Sequence, residues 1–175
     1  MSINIKGSMM NKDLQYIFLG GGCFWGVEYL LSKLDGVINT QVGYCGGHTI
    51  EPTYKEVCNG YTGHIEVVKV LYDPNIIAIR DLLKYFFEIH NFSQRDGQGL
   101  DIGEQYLSRI FYTTEEQKKA IEDVINILLD MNYHVETKFK PYANYWVAED
   151  YHQQYFDNNT AKTPCHLWKQ IFTKD

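Results

Sequence analysis

Residues 15–36 read QYIFLGGGCFWGVEYLLSKLDG, and this stretch decides how the fold begins. Its first five residues form a β-branched and aromatic run that stops at three glycines, which predicts a short buried strand. From Phe24 onwards the apolar residues recur every three or four positions, the spacing of one helical face, and Gly36 is placed to end the helix. The sequence therefore predicts a strand, a glycine turn and a helix whose first turn contains Cys23.

Further strands and helices are predicted along the rest of the chain. Alternating or compact apolar runs predict strands at 37–43, 64–72, 106–112 and 135–139. One helix is predicted from Ile79 by its apolar spacing, and another after Thr113 or Thr114, where a capping box follows. The order β-α-β-β-α-β followed by αβ predicts an α+β fold. More specifically, it predicts a ferredoxin-like split βαβ sandwich of helices on an antiparallel or mixed sheet, with a loop-rich C-terminal extension.

Size, charge and hydropathy exclude several classes of protein. The 175 residues are 45% apolar, so we expect a single domain over residues 13–175, with residues 1–12 disordered or left over from cloning. A formal charge of −6 without a basic run argues against a nucleic-acid partner. No apolar run approaches the roughly 20 residues that cross a bilayer, and the polar start lacks the apolar stretch of a signal peptide. We expect a cytoplasmic monomer.

The four cysteines are too few and too scattered for a disulfide framework; they are Cys23, Cys45, Cys58 and Cys165. No C-x-x-C pair supplies a zinc site, and only Cys165 and His166 are adjacent candidate ligands. We therefore expect free thiols, catalytic or buried, and no metal.

Cys23 is the candidate nucleophile because of its predicted position at a helix start. Unpaired N–H groups and the positive end of the helix dipole favour the thiolate there. The alternative is a buried cysteine that serves as a small apolar side chain. A phosphate-binding loop is excluded because the glycines miss the G-x-G-x-x-G spacing by one residue and no G-K-[ST] follows.

Glu66 is the candidate acid. On the predicted strand it shares a face with Val68 and Val70, whereas Ile65 and Val67 point to the other face, so both faces are expected to be covered. Burial among apolar neighbours would raise the pKa of the carboxyl group and keep it protonated near neutrality. The alternative is an edge-strand glutamate that reaches solvent.

Hydroxyl groups are the other candidates. Tyr54, Tyr106 and Tyr155 are three of 14 tyrosines, and they become informative only if their hydroxyls converge on the acid to stabilise charge on oxygen. Asp101 lies in a glycine-rich loop just before a strand. By residue type alone, a structural role is the default for each of them.

Five blocks of sequence resemble one known family, the A-type peptide methionine sulfoxide reductases. They are GCFWG (22–26), GYCGG (43–47), PTYKEVCNGYTGHIE (52–66), DIGEQY (101–106) and AEDYHQQY (148–155). Their order and spacing are compatible with that family, and the resemblance covers about residues 15–160.

The resemblance implies a role for each candidate residue. Cys23 would attack the sulfoxide sulfur, Glu66 would protonate its oxygen, and Phe24 and Trp25 would receive the methyl group. Tyr54 and Tyr106 would hydrogen-bond the oxygen, Tyr155 would line the same pocket, and Asp101 would contact the peptide backbone. The implied substrates are methionine-S-sulfoxide residues of oxidised proteins and free methionine sulfoxide, with no bound cofactor.

A second thiol would complete the cycle. Attack leaves a sulfenic acid on Cys23, which a resolving cysteine condenses with to form a disulfide, and the family implies that thioredoxin or another dithiol then reduces it. Cys165 is the expected resolving thiol, with Cys45 and Cys58 as alternatives. The segment around Cys165, TPCHLWKQIF, contains no glycine and is compatible with a helix.

The sequence departs from the family at two positions. Gly97 and Leu107 stand where relatives usually carry arginines, and Arg95 and Arg109, each two residues away, are the possible replacements.

Two rival functions are weighed against the enzyme. The rivals are a thiol peroxidase or redox sensor acting through Cys23, and a non-catalytic binding domain on a ferredoxin-like scaffold. A peroxidase has no use for an apolar methyl pocket, and a binding domain has no need of a helix-start thiol facing a buried acid.

Overall fold

The computed structural model describes residues 12–173. The prediction made for residues 1–12 falls outside the described residues except at Lys12, whose backbone N–H donates a hydrogen bond to the side chain of Asn75.

The described helices and strands follow the predicted order with several additions. In chain order they are β1 Gln15–Gly20, α1 Phe24–Leu31, β2 Val37–Cys45, α2 Tyr54–Cys58, β3 Ile65–Tyr72, α3 Ile79–Glu88, β4 Gly97–Gln98, β5 Asp101–Ile102, β6 Arg109–Tyr112, α4 Glu115–Asp130, β7 Lys138–Pro141, β8 Tyr145–Val147 and α5 Tyr155–Asn158. Single turns of 3-10 helix lie at Glu104–Tyr106 and Asp150–His152.

Six strands form one mixed sheet in the order β7-β6-β1-β3-β2-β8. All neighbours are antiparallel except β6 and β7, which are parallel. The short strands β4 and β5 pair with each other as a separate hairpin. The molecule is therefore a mixed α+β fold in which β3, the strand of Glu66, occupies the interior of the sheet.

Alternation along β3 places its side chains on two covered faces, as predicted. Val68, Val70 and Tyr72 belong to the main core, which lies between the sheet and helices α1, α3 and α4. Ile65 and Val67 belong to a smaller cluster on the opposite face, with Phe18, Cys45 and Phe111. An interior strand with both faces covered leaves no path to solvent for a short side chain.

The cap of α4 also agrees with the sequence. The Thr114 side chain accepts a hydrogen bond from the Gln117 N–H, and the Gln117 side chain accepts one from the Thr113 N–H. The reciprocal bonds of a capping box are thus divided between two neighbouring threonines.

Several local predictions were wrong or incomplete. Helix α1 ends at Leu31 and continues to Leu34 only as tighter i→i+3 turns, whereas the sequence predicted helix up to Gly36. The turn-rich segment 43–61 contains α2, which begins with a complete capping box between Thr53 and Glu56. The glycine-rich segment 95–103 contains β4 and β5, and β8 was not predicted at all.

The C-terminal segment 159–173 contains no helix or strand, so the helix considered for TPCHLWKQIF does not form. Instead the segment is held by Glu88 at the end of α3. The Glu88 carboxylate accepts hydrogen bonds from the N–H groups of Ile171 and Phe172 and from the Trp168 indole. Bonds to one carboxylate replace helical bonds here, so the N–H groups of Ile171 and Phe172 have acceptors without a helix.

Within residues 12–173, no helix is both long and apolar enough to span a bilayer.

Candidate active site

Cys23 is the residue that directly precedes α1. Its carbonyl accepts a hydrogen bond from the Val27 N–H at 3.4 Å, and the residue as a whole is partly exposed. Gly22 before it has φ +96°, and a Cβ atom at that position would lie 2.6 Å from Gln98. Only glycine adopts this conformation without strain in so little space, so the glycine turn is what delivers the sulfur to the helix start.

Glu66 lies beneath the same helix start and is 1% exposed. Its Oε2 accepts a hydrogen bond from the Phe24 N–H at 3.1 Å. Its Oε1 is buried and has no hydrogen-bond partner among the described residues. Burial raises the pKa of Glu66 to about 8, with Asp101 adding to the rise and the Phe24 N–H opposing it. The carboxyl group is therefore mostly protonated at neutral pH, as the sequence predicted, and one oxygen remains available to a ligand.

The thiols of Cys23 and Cys165 lie close enough to share a hydrogen bond when one of them is ionised. This bond, followed by burial, raises the pKa of Cys23, while the Trp25 N–H at the helix start lowers it. The same bond, followed by His166, lowers the pKa of Cys165 to about 4. The sequence predicted a thiolate on Cys23, whereas in the reduced protein the negative charge of the pair is favoured on Cys165.

Two of the three candidate tyrosine hydroxyls lie near Glu66. The pKa of Tyr54 is raised by burial, by a hydrogen bond with Cys58 and by Glu66. Burial and then Glu66 raise the pKa of Tyr106 to about 12. Phenols with raised pKa values stay protonated and can donate hydrogen bonds, so both can serve an oxygen atom bound at Glu66.

Tyr155 does not join them. Its hydroxyl accepts a hydrogen bond from Lys162, and its ring stacks on Trp25 with the centroids 3.6 Å apart and the planes within 5°. Of the three hydroxyls considered from the sequence, only those of Tyr54 and Tyr106 therefore lie near the acid, whereas Tyr155 contributes an aromatic face. Asp101 lies close enough to Cys165 and His166 for both to affect its pKa, which burial raises first.

The apolar side of the site consists of stacked rings. The Phe24 ring is 1% exposed and lies 5.1 Å from the ring of His152, centroid to centroid. Trp25 is half-buried, and its indole N–H donates a hydrogen bond to His152 Nδ1 at 2.9 Å. Phe24 thus supports the site from the core, while Trp25, fixed by His152 and Tyr155, offers the accessible apolar surface.

Similarity to known proteins agrees with this geometry. Residues 15–175 match the family model for peptide methionine sulfoxide reductase. The chain belongs to the peptide methionine sulfoxide reductase family. It is 48% identical over 145 residues to the peptide methionine sulfoxide reductase MsrA of Pelagibacter ubique, a match that covers 82% of this chain and 99% of the relative. An enzyme of this family is an oxidoreductase.

Solved structures of the family have the same fold. The reduced form of Mxr1 from Saccharomyces cerevisiae superposes with a TM-score of 0.85 at 32% identity, covering 90% of this chain and 93% of the yeast chain. Mxr1 has also been solved in complex with Trx2, and that structure matches with a TM-score of 0.61 at 22% identity over 93% and 97% of the two chains.

The family arginines that this chain lacks are not replaced at the site. Arg95 pairs with Glu136 and its side chain is 84% exposed, while Arg109 donates to the Ser108 carbonyl. Gly97 has its own physical reason, because a Cβ atom there would lie 2.1 Å from the Asp101 carbonyl oxygen. The tight pairing of β4 with β5 excludes any side chain at position 97.

Two histidines at the site were missed as functional candidates. His152 is fully buried, and its Nε2 has no partner within the described part of the chain. His166 is 6% exposed and lies against the glycine turn. Cys58, one of the alternative resolving thiols, is the last residue of α2 and contacts Tyr54. His152 lies in the AEDYHQQY block, which was a usable signal, whereas the position of His166 depends on contacts between distant segments. No cluster of three metal-ligating side chains occurs in residues 12–173.

Proposed function

We propose that the chain reduces methionine-S-sulfoxide, free or in oxidised proteins, to methionine, with Cys23 as the nucleophile and Glu66 as the acid. The observation that carries this proposal is the unpartnered Oε1 of Glu66. It belongs to a carboxyl group that burial keeps protonated, and it lies next to the Cys23 thiol at the start of α1. A sulfoxide is a poor electrophile at sulfur until its oxygen accepts a proton, so an acid opposite a thiol is what the reaction requires.

The surroundings fit the other parts of the substrate. The methyl group contacts the accessible face of Trp25, with Phe24 and Tyr155 as its supports. The sulfoxide oxygen lies at Glu66 and accepts hydrogen bonds from Tyr54 and Tyr106, whose raised pKa values keep both as donors. Asp101 contacts the backbone of a peptide substrate.

The first half-reaction is a two-electron transfer. The Cys23 sulfur attacks the sulfoxide sulfur while Glu66 gives its proton to the oxygen. The hydroxyl group then moves from the substrate sulfur to the Cys23 sulfur as the bond between the two sulfurs breaks, and the Cys23 thiol proton restores the Glu66 acid. Methionine leaves, and Cys23 remains as a sulfenic acid. No cofactor takes part.

Cys165 resolves the sulfenic acid, and thioredoxin or another dithiol reduces the resulting disulfide. The contact between the two free thiols supports this assignment over Cys45, which is buried, and Cys58, which contacts Tyr54. The structure of Mxr1 with Trx2 supports thioredoxin as the reductant. A cycle of this kind fits a reducing compartment such as the cytoplasm.

We also propose that residues 13–175 form a single domain with a ferredoxin-like core. The strand order β6-β1-β3-β2, with α1 after β1 and α3 after β3, supports this assignment. On this view β7, β8 and the C-terminal segment are additions.

The test is a single turnover without reductant. Wild-type protein mixed with excess methionine-S-sulfoxide should yield about one methionine per chain, because each nucleophile is oxidised once. Peptide mapping should then find a Cys23–Cys165 disulfide. The Cys23→Ser variant is the control and should yield none.

Other products of this test would reject the proposal. Methionine from the Cys23→Ser variant would remove the nucleophile. Consumption of peroxide without any methionine from the sulfoxide would favour a peroxidase, and inertness toward both would favour a binding domain.

A further inference from the structure

His166 occupies a fixed position between the glycine turn and Cys165. Its Nε2 lies 2.7 Å from the Gly21 carbonyl oxygen, and its Nδ1 lies 3.4 Å from the Cys165 sulfur. A carbonyl oxygen only accepts hydrogen bonds, so Nε2 must be the protonated nitrogen. In the neutral ring, Nδ1 then carries a lone pair directed at the thiol.

The glycine turn shapes the space for this ring. A Cβ atom at Gly26 would lie 2.3 Å from His166 Nδ1, and one at Gly22 would lie 3.3 Å from Nε2. The imidazole is therefore seated against the segment that positions the nucleophile. Gly22 and Gly26 thus leave open the space that the His166 ring occupies.

We propose that His166 is the general base for the resolving thiol, accepting the proton of Cys165 as that sulfur attacks the oxidised Cys23. This inference rests on the proposed function. In the reduced protein the thiol of Cys23 also hydrogen-bonds Cys165. Once Cys23 is a sulfenic acid that S–H donor, the largest cause of the lowered pKa of Cys165, no longer exists, so the pKa rises again and Cys165 regains a proton that the imidazole is placed to accept.

The step balances without any added reagent. The Cys165 proton moves to Nδ1, the Cys165 sulfur bonds to the Cys23 sulfur, and the sulfur–oxygen bond of the sulfenic acid breaks. The departing hydroxide takes the proton from the imidazolium and leaves as water. Cys165 is oxidised and the Cys23 sulfur is reduced from sulfenic acid to disulfide.

Other ionisable groups lie around Cys165 and His166, and the experiment described below leaves them unchanged. Asp101 on β5 is close to both Cys165 and His166. His90, just after α3, lies near His166, and burial, with a smaller effect of His166, lowers the pKa of His90 to about 3, so His90 is neutral near pH 7. Glu88 and Lys169 line the same cleft of about 800 Å³. All four are unchanged in the variants below.

The experiment measures the rate of Cys23–Cys165 disulfide formation against pH, by rapid mixing with methionine-S-sulfoxide, acid quench, alkylation of free thiols and mass analysis. In wild-type protein the rate should change less than about threefold between pH 6.5 and 8.5, since the base is built in. In His166→Gln, whose amide can still donate to Gly21, the thiol reverts to an ordinary pKa and the rate should rise roughly 50-fold over that range. At pH 6.5 the variant should also accumulate sulfenic acid that a dimedone probe labels.

Trp168→Phe is the matched control for a merely loosened segment. It removes the indole bond to Glu88 and leaves His166 in place, so it should lower the rate by the same factor at every pH. A second variant, Gly26→Ala, keeps the histidine but displaces its ring, and it should reproduce the pH profile of His166→Gln.

The possible outcomes separate the two proposals. If wild-type protein forms no methionine, the proposed function fails. If methionine forms normally but His166→Gln shows the wild-type pH profile, or only a uniform loss of rate like Trp168→Phe, His166 is not the base.

Discussion

The two thiols that meet in this structure are delivered by very different parts of the molecule. Cys23 lies between a central strand and a helix, and the nearby Glu66 is held by the first N–H of that helix. Cys165 belongs to a segment without helix or strand, held by Glu88 and His166. The proposed nucleophile is thus fixed by the core, whereas the proposed resolving thiol depends on a few hydrogen bonds that hold its segment.

This difference matches the demands of the two half-reactions. Attack on a sulfoxide requires an acid held in a dry environment, and such an environment exists only inside the packed sheet. Resolution and reduction require a sulfur that can reach Cys23 and then be reached by a reductant. A segment with few buried contacts can open locally at a low free-energy cost.

The largest effect should follow from a substitution at Glu66, which lies in the core beside Cys23. Glu66→Gln keeps an acceptor for the Phe24 N–H but has no proton to give, so the first step should slow by about 10²–10⁴-fold while substrate binding changes little. Because burial raises the pKa of Glu66 to about 8, the wild-type rate should be level below that pH and fall above it as the acid loses its proton. Single-turnover methionine formation at several pH values measures both.

Glu28→Gln is the matched control, since Glu28 is also 1% exposed but bonds Thr40 and Gln154. It should lower the melting temperature and leave the decline of the rate above pH 8 in place. An unchanged first step in Glu66→Gln would remove Glu66 as the acid.

An intermediate effect should follow from removing the second thiol. Cys165→Ser should still give about one methionine per chain, but steady-state turnover with thioredoxin should fall roughly 100-fold because the intramolecular partner is lost. Reduced Cys165→Ser should also alkylate faster at Cys23 at pH 7, since the largest cause of the raised pKa of Cys23 is gone. Iodoacetamide labelling followed by mass analysis measures this second effect.

Leu167→Ser places the same residue at an exposed neighbouring position, where the side chain is 78% exposed, and should change neither property. Normal turnover in Cys165→Ser, with a Cys23–Cys58 disulfide in its place, would contradict the assignment.

The smallest effect should come from weakening the hydrogen bonds that hold the C-terminal segment to Glu88. Glu88→Gln removes the charge that Ile171, Phe172 and Trp168 bind, so disulfide formation should slow about three- to tenfold, with the first step unchanged. Hydrogen exchange of the amides in 165–173 should accelerate in parallel. Glu122→Gln, on the exposed face of α4, is the control. A slower first step would show that the hydrogen bonds to Glu88 also help to position Cys23 and Glu66.

The sequence predicted the core side well because its signals are local. The strand, glycine turn and helix start around Cys23 follow from residue spacing, and the alternation along β3 was sufficient to bury Glu66. The short elements α2, β4, β5 and β8 were missed because two to five residues give too little periodicity.

The C-terminal side could not be predicted in the same way. His166 and Gly21 are 145 positions apart, and Glu88 reaches residues more than 80 positions away. Contacts at such separation leave no pattern within either segment. The direction of the Tyr155 hydroxyl likewise depends on Lys162, a surface residue whose position no local rule fixes.

Cys45 shows how this chain keeps one sulfur out of its own chemistry. Its thiol is fully buried, donates a hydrogen bond to the Asn144 carbonyl at 2.9 Å, and has a pKa that burial raises to about 12. The oxidants that create damaged methionine also attack exposed thiolates, but this sulfur is neither exposed nor ionised at neutral pH. Cys45 should therefore stay reduced under the oxidising conditions in which methionine residues need repair.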